Sequence, residues 1–274
     1  MSSRFFWPIF LIVAGVLFML DNFGLLPGSA WGWIWPLLLV SVGVNLLLRW
    51  NRRRPAATGS PLWSGGAVND SLPLDGATSA QIVLRHGAGR LTVRAGGDPA
   101  VLFAGTFDGG LDKQVYRSGD RIEVTLRSDP PGWGPWMWPG EFGRGGLDWE
   151  MSLNPNISLS LSLETGASNC DLDLSALRVT DLALKTGASA TDITLPAQAG
   201  FTRVRIAAGA AAVRVKVPDG VAARIRGRMG LGALNVDQSR FSRRDGTYES
   251  SGFESATNRA ELEIDGGVGE VSVR

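Results

Sequence analysis

Cysteine and histidine are nearly missing from this chain of 274 residues, which holds one of each, Cys170 and His86. One cysteine cannot form an internal disulfide, and the two residues together cannot supply a Cys and His zinc site or an iron–sulfur cluster. A Ser/His/Asp or Cys/His mechanism would have to pass through His86. The composition therefore argues against a disulfide-stabilised secreted module and against conventional nucleophilic hydrolysis.

Charge is scarce as well, because 19% of the residues are charged against about 25% in an average protein. The net charge of +1 hides a split: residues 1–54 hold five arginines and one aspartate, and the remainder holds 22 basic and 25 acidic residues. A nucleic-acid binder needs a basic surface that neutralises phosphate. The acidic balance after residue 54 therefore predicts that this larger part binds no nucleic acid.

Two uncharged hydrophobic runs lie near the N terminus, 16 residues at 5–20 and 18 residues at 31–48. As helices rising about 1.5 Å per residue they would measure about 24 and 27 Å, against a bilayer core of about 30 Å. A turn-rich segment, DNFGLLPGSA, separates them. Residues 1–54 are therefore predicted to form a two-helix transmembrane hairpin. The tryptophans near its ends and the arginines that follow it are the expected anchors to membrane lipids: Trp7, Trp31, Trp33, Trp35, Trp50, Arg52, Arg53 and Arg54.

Basic residues flank this hairpin on its outer sides, with Arg4 before the first run and Arg49 with the arginine cluster after the second. The loop between the runs carries only Asp21. Because cytoplasmic flanks are enriched in Lys and Arg, the pattern predicts two spans with both termini in the cytoplasm. The region after the hairpin is then cytoplasmic too.

A Pro, Gly, Ala and Ser-rich segment at 55–70 has no apolar periodicity and is expected to be a linker. Beyond it, apolar residues alternate with polar ones in short stretches such as RLTVRA, CDLDL and ATDITL. This period of two is typical of half-buried β-strands. The C-terminal part is therefore predicted to be all β.

A repeated pattern organises these strands: after a starting glycine, mostly apolar residues recur four and six positions later. The starting glycines are Gly87, Gly166, Gly187, Gly209, Gly230 and Gly267. Four of them are spaced by 21, 22 and 21 residues. A period of this length is typical of a parallel, right-handed β-solenoid of single-strand coils with about 21 residues per coil. Each glycine is expected at a corner that needs positive φ or close backbone approach.

Three features of the repeats bear on chemistry. Cys170 occupies a position that other coils fill with Leu, Val or Thr, so it is expected to be a packed small residue. His86 precedes a corner glycine and is expected at the surface or in a cap. Asp171, Asp173 and Asp192 alternate outward on adjacent coils and could cluster as in a solenoid lyase or esterase, although outward carboxylates usually serve solubility.

Residues 130–150 interrupt the pattern with a Pro and Gly-rich insertion that no regular strand or helix can accommodate. It contains four tryptophans: Trp133, Trp136, Trp138 and Trp149. They are candidate contacts to a partner or to the membrane, because Trp is enriched at binding hot spots and at headgroup level. The alternative is a loop folded over the open side of the solenoid, with its rings covering the core.

Residues 5–50, with the turn LDNFGLL and a Trp-Pro opening to the second run, resemble the transmembrane region of LiaI/LiaF-type bacterial envelope-stress proteins. Residues 68–127 resemble the N-terminal part of the toast-rack domain, and 157–274 are similar to its adhesin-like β-solenoid half. The resemblance implies a protein of the bacterial cytoplasmic membrane that modulates a sensor histidine kinase.

The sequence predicts five regions: the hairpin at 1–54, the linker at 55–70, a toast-rack-like β region at 71–129, the insertion at 130–150 and the solenoid at 151–274. We expect no enzyme, cofactor or metal site, and instead a membrane-anchored sensor or modulator that binds an envelope or histidine-kinase-type partner. The alternative is a self-associating scaffold, since the chain ends in EVSVR, an apparently uncapped strand.

Overall fold

Residues 67–128 and 147–274 are described by the structure, a computed structural model. Among them, no helix is long and apolar enough to cross a membrane. The predicted hairpin at 1–54 lies outside the described residues. So do most of the predicted contact residues: Trp7, Trp31, Trp33, Trp35, Trp50, Arg52, Arg53, Arg54, Trp133, Trp136 and Trp138.

The described residues are nearly all β and form one 13-stranded sheet. In chain order the strands are β1 (Val68–Pro73), β2 (Ser79–Ala95), β3 (Val101–Phe107), β4 (Leu111–Ser118), β5 (Arg121–Ser128), β6 (Trp149–Leu153), β7 (Ser158–Asp173), β8 (Arg178–Thr194), β9 (Phe201–Lys216), β10 (Ala222–Val236), β11 (Phe241–Arg244), β12 (Thr247–Ser250) and β13 (Arg259–Val273). A short 3-10 helix, Phe253–Ser255, precedes β13.

Six long parallel strands make the body of the sheet, in the order β2, β7, β8, β9, β13 and β10. The corner glycines stand in register across the strands. The residues that follow them pair with each other, Ala88 with Ala167 and Ala188 with Ala210. Each strand buries alternate side chains, and these form one continuous apolar core. The period-two pattern therefore predicted the strands correctly, and the six parallel strands fit a β-solenoid.

Each long strand bends at its corner glycine. In β7 the alternation of buried and exposed residues slips there, because Gly166 and Ala167 both point outward between buried Thr165 and Ser168. In β10 a side-chain atom added at Gly227 would meet the Leu234 side chain, although the two residues are seven positions apart in one strand. We call the parts of a strand before and after the bend its two arms. The two arms therefore face each other across the interior.

The order of the last coils differs from the order in the chain. β13 lies between β9 and β10 and pairs in parallel with both, from Arg259 to Val273. The expectation that EVSVR is an uncapped edge is therefore wrong, because these residues have a strand on each side. The glycine spacing could not reveal this order, since Gly230 continues the 21-residue period whether or not a later strand is inserted before it.

The two ends of the row of coils are closed differently. At the β2 end, β5 covers the arm before the bend and β6 covers the arm after it. At the β10 end, β12 pairs only with Arg224 and Ile225, and β11 pairs with β12. Within the described ranges, the rest of the outer edge of β10 has no strand beside it.

Candidate functional site

Close backbone approach requires glycine at five of the six corners, while a Cβ atom at Gly87 would meet only the Ser128 hydroxyl at 3.7 Å. A Cβ atom at Gly187 would lie 2.9 Å from the carbonyl oxygen of Gly166, and one at Gly209 would lie 3.0 Å from that of Gly187. Such distances are shorter than the usual contact between carbon atoms of about 3.5 Å. None of these corner glycines has positive φ. Of the two reasons that the sequence offered for the corner glycines, close approach is therefore the one that applies.

An uncharged exposed surface runs along the bend of three coils, and we call it the corner face. It consists of Gly166, Ala167, Asn169, Gly187, Ala188, Ala190, Gly209, Ala210 and Ala212, all of them exposed. The alanine row continues into larger side chains in the last two coils, Val268 at 54% exposure and Leu231 at 79%. The sequence analysis missed this surface, although the repeated Gly-Ala dipeptide could have revealed it.

Charged rows border the corner face on both sides. In the row before the bend, Glu164 forms ion pairs with Arg85 at 3.0 Å and with Lys185 at 3.8 Å. A ladder of this kind is solvated and contributes about 0–1 kcal/mol per pair.

The predicted carboxylates occupy the row after the bend. Asp171 and Asp192 are neighbours across β7 and β8, with Arg94 3.7 Å from Asp171 and Arg214 3.0 Å from Asp192. Ser175 donates hydrogen bonds to Asp173, and these hold the pKa of that carboxyl below its ordinary value. The three carboxylates therefore have arginine or serine partners, an arrangement typical of a solvated surface. In the described part of the chain, no group of three acidic, His or Cys residues could hold a metal ion.

Hydroxyl groups line the inner side of the bend. Thr165 Oγ1 donates to Thr186 Oγ1 at 3.0 Å, and Thr186 donates to Ser189 at 2.5 Å. Cys170 is buried beside Ser168, with its Sγ 3.4 Å from the serine hydroxyl. The prediction that Cys170 is a packed small residue is confirmed.

His86 is buried inside the first coil. It is 1% exposed, so the expected surface position is wrong, while a capping contact is present: its Nε2–H donates to the carbonyl of Leu147 at 2.6 Å. Nδ1 is buried and has no hydrogen-bond partner among the described residues. Burial lowers the pKa of the imidazole below its ordinary value, although the Leu147 hydrogen bond and the Asp148 carboxylate act in the opposite direction. The side chain is therefore neutral at pH 7.

Trp149 lies beside His86, with ring centroids 5.2 Å apart, and packs edge-on against Phe107 at 5.0 Å. Its indole N–H donates to the carbonyl of Asp108 at 3.2 Å, and the side chain is 1% exposed. The prediction that Trp149 contacts a partner or the membrane is wrong, because the ring is part of the core. The alternative reading, a ring that covers the core edge, applies to this residue.

Shallow depressions open on the surface. One of about 580 Å³ lies on the corner face, where it is lined by Ala167, Asn169, Ala188 and Ala190, with Arg90 and Asp148 at its border. Another of about 660 Å³ lies on the sheet formed by β1, β3 and β6 and includes Asp70 and Glu150. Asp70 is bound to Lys113 at 2.6 Å. Neither depression brings together an acid, a base and a nucleophile.

Comparison with known proteins adds the following findings. Residues 65–216 match a family model described as the N-terminal domain of toast_rack, DUF2154, and residues 6–62 match a model described as the LiaF transmembrane domain. No curated protein matches the chain.

A solved structure of a proposed cell adhesion protein from Clostridium sporogenes is similar in fold. It is 20% identical, the similarity covers 76% of this chain and 98% of that one, and the TM-score is 0.68. A proposed adhesin from Bacteroides fragilis is 8% identical over 77% of this chain and 98% of its own, with a TM-score of 0.31, too low to support a conclusion.

Proposed function

We infer the function from the family, since the chain belongs to the toast-rack family and carries a LiaF transmembrane domain that anchors it to a membrane. We propose that it is a non-catalytic modulator of the response to cell-envelope stress. In this proposal the hairpin meets a membrane component or disturbed lipid. The β-solenoid then presents or withdraws a binding face to an envelope or histidine-kinase-type partner.

One observation carries this proposal: a LiaF transmembrane domain and a toast-rack sheet are joined in one chain, and the sheet offers a regular exposed surface. The corner face is the part of that surface that fits a protein partner best. It is uncharged, so a partner that covers it leaves none of its groups as an unpaired buried charge. The paired rows on either side would form a polar rim around it.

Capture of a partner tests the proposal. The tagged full-length chain is cross-linked in bacterial membranes, solubilised and purified, and we expect a sensor kinase or another envelope protein among the recovered proteins. The variant Ala188→Arg places a long cation in the middle of the corner face and is expected to reduce recovery at least tenfold. Loss of about 1.4 kcal/mol of binding energy is enough for that change.

Ala207→Arg is the matched control, because Ala207 is equally exposed but lies in the charged row before the bend. We expect this variant to recover the partner as the parent does. Recovery of no other envelope protein by the parent chain would contradict the proposed function. If both variants recover equally little partner, the corner face is not the binding surface.

The proposed orientation, with two spans and the β-solenoid in the cytoplasm, is tested separately. Protease added to intact spheroplasts should leave the C-terminal region whole, and protease added after lysis should reach it. Cleavage in intact spheroplasts would place the binding face, and any partner, outside the cytoplasm.

The scaffold alternative needs coils that join end to end through two open ends. The argument for it from EVSVR is lost, because β13 is an inner strand. The β2 end is also covered, by β5 and β6. Nothing in the described sheet therefore favours an extended scaffold over a modulator.

A further inference from the structure

Among the described residues, most edges of the sheet are protected in the ways that prevent pairing between molecules. β1 has Asp70 and ends at Pro73, β4 carries Lys113 and Arg117, and β11 ends in two arginines. Charged residues and proline on an edge strand oppose the addition of another strand. Such protection is the usual condition of a sheet edge in a soluble domain.

The outer edge of β10 has this protection only before its bend, where Arg226 and Arg228 stand, and lacks it after the bend. The segment Met229–Val236, MGLGALNV, contains no charged residue and no proline. Leu231 is 79% exposed, and Met229, Leu234 and Val236 are only partly buried although they belong to inward-facing rows. Within the described ranges this edge has no strand partner from Arg226 onward. Unpaired backbone groups and exposed aliphatic side chains thus occur together.

This open edge extends almost equally on both sides of the bend of its own strand. The bend lies between Gly230 and Leu231, and the free edge runs from Arg226 to Val236, which is five residues before the bend and six after it. A twofold axis through the bend would bring the arm before the bend of one copy against the arm after the bend of the other. Residues at equal distances from the bend, such as Gly227 and Leu234, both face inward. The inward-facing side chains of one copy would therefore lie next to the inward-facing side chains of the other copy.

The charges at the two limits of the edge are opposite in sign. Arg226 and Arg228 stand on one arm with 61% and 86% of their side chains exposed. Asp237 follows the other arm, and its N–H still continues the ladder to the Val273 carbonyl. In an antiparallel pair of β10 edges about this axis, Arg226 of one copy faces Asn235 of the other and lies diagonally across from Asp237, within reach of a long side chain. Arg226 and Arg228 also have partners within their own copy, Glu261 at 3.6 Å and Asp265 at 3.8 Å. A second copy therefore brings a further carboxylate to the arginine end of the edge.

We propose that two copies of this chain associate through the free edge of β10, in antiparallel register about a twofold axis at the bend. Because β5 and β6 cover the other end of the coils, the association closes at a dimer and does not propagate. Anchoring in one membrane favours the contact, since tethering raises the effective concentration of the second copy. The proposal does not depend on which partner the corner face binds.

Disulfide cross-linking in membranes tests this dimer. Leu231 stands next to the proposed axis, and strands about 4.8 Å apart would place its two Cα atoms about 6 Å from each other, within the range of a disulfide. Leu231→Cys in the full-length chain should therefore form a covalent dimer under mild oxidation. Tyr116→Cys is the control, because Tyr116 is 66% exposed in β4, away from the proposed interface. It should give less than a tenth as much dimer.

A second measurement uses the full-length protein in detergent, with its mass determined by sedimentation. The parent and Tyr116→Lys should be dimers, and Leu231→Lys should be a monomer with an unchanged strand signal in circular dichroism. Equal cross-linking of the two cysteine variants, or a monomeric parent in both experiments, would overturn the proposal. A Leu231→Cys adduct with a different protein would also overturn it, by showing that the edge accepts a foreign strand.

Discussion

Residues at the bend determine how closely the coils approach, and Gly187 is the clearest test. Gly187→Ala places a methyl group 2.9 Å from the Gly166 carbonyl oxygen, so the backbone of two coils must separate. We expect the free energy of unfolding to fall by about 1–3 kcal/mol, as in overpacked cores. Urea denaturation of the full-length protein in detergent, followed by circular dichroism, measures the change.

Gly97→Ala is the matched control. Gly97 has no positive φ, and a methyl group there would have no atom within 4 Å. The expected change is within about 0.5 kcal/mol. If both variants lose the same stability, close approach at the corner is not the reason for the repeated glycine.

His86 makes the stability of the protein depend on pH in a defined window. Its folded pKa is below the ordinary value of 6.5, so the unfolded state binds a proton at a higher pH than the folded state does. The stabilisation from the neutral ring is therefore complete above pH 6.5 and is lost as the pH falls through the folded pKa. The slope is at most about 1.4 kcal/mol per pH unit.

Since the chain has a single histidine, one imidazole resonance reports this titration in an NMR experiment. We expect it to titrate below pH 6.5, and His86→Phe should remove the slope of the unfolding free energy between pH 5 and 6.5. An imidazole that titrates at or above 6.5 would contradict the effect of burial described here.

At this scale the sequence predicted well wherever a residue repeats. Cys170 was placed correctly in the core because five equivalent positions hold other packed residues. The burial of His86 could have been predicted in the same way, because the equivalent positions before the next three corner glycines hold buried residues, Thr165, Thr186 and Ala208. Trp149 was misjudged because the composition assigned it to an insertion, whereas it begins β6 beside Leu91. Its contact with Phe107, which is distant in sequence, has no signal in the pattern.

At the scale of elements, β13 is the strand that holds the last coils together. It hydrogen-bonds to β9 on one side and β10 on the other over its whole length. Ile264 points inward from its middle and is 1% exposed. Ile264→Ala is expected to lower the free energy of unfolding by about 2–5 kcal/mol, because it leaves a cavity between two coils.

The neighbouring Glu263 faces solvent on the same strand and provides the control. Glu263→Ala should change stability by less than about 0.5 kcal/mol. Limited proteolysis of Ile264→Ala should also release the region after β9 first. Equal protease resistance in both variants would show that β13 is not the strand that secures the end of the sheet.

The strands themselves were predictable from alternation, since burial on one face imposes a period of two. Their order was not. A parallel strand pairs equally well with any neighbour that repeats the same rows, so the insertion of β13 depends on how the β11–β12 segment returns the chain. That path has no periodic signature.

For the whole molecule, the membrane anchor determines where the sheet acts. Removing residues 1–54 is expected to move the protein from the membrane fraction to the soluble fraction, because the LiaF transmembrane domain lies within 6–62. Fractionation of cells expressing the parent and the shortened chain, with an alkaline wash of the membranes, measures this. A shortened chain that remains in washed membranes would show that other residues also insert.

The family resemblance at this scale followed from short motifs, such as the turn LDNFGLL between the two hydrophobic runs. The binding surface did not follow from them. A surface of glycine and alanine has no charged or reactive group that would mark it in the sequence. The residues form a surface only because the bend exposes them.

The corner glycines also restrict how the protein can change in length during evolution. Because each one contacts the backbone of the next coil, a gain or loss of a few residues within a strand would put a side chain where only hydrogen fits. Duplication or deletion of a whole repeat keeps every row in place. Such events are expected among β7, β8 and β9 and excluded beyond β9, where the inserted β13 fixes the number of repeats.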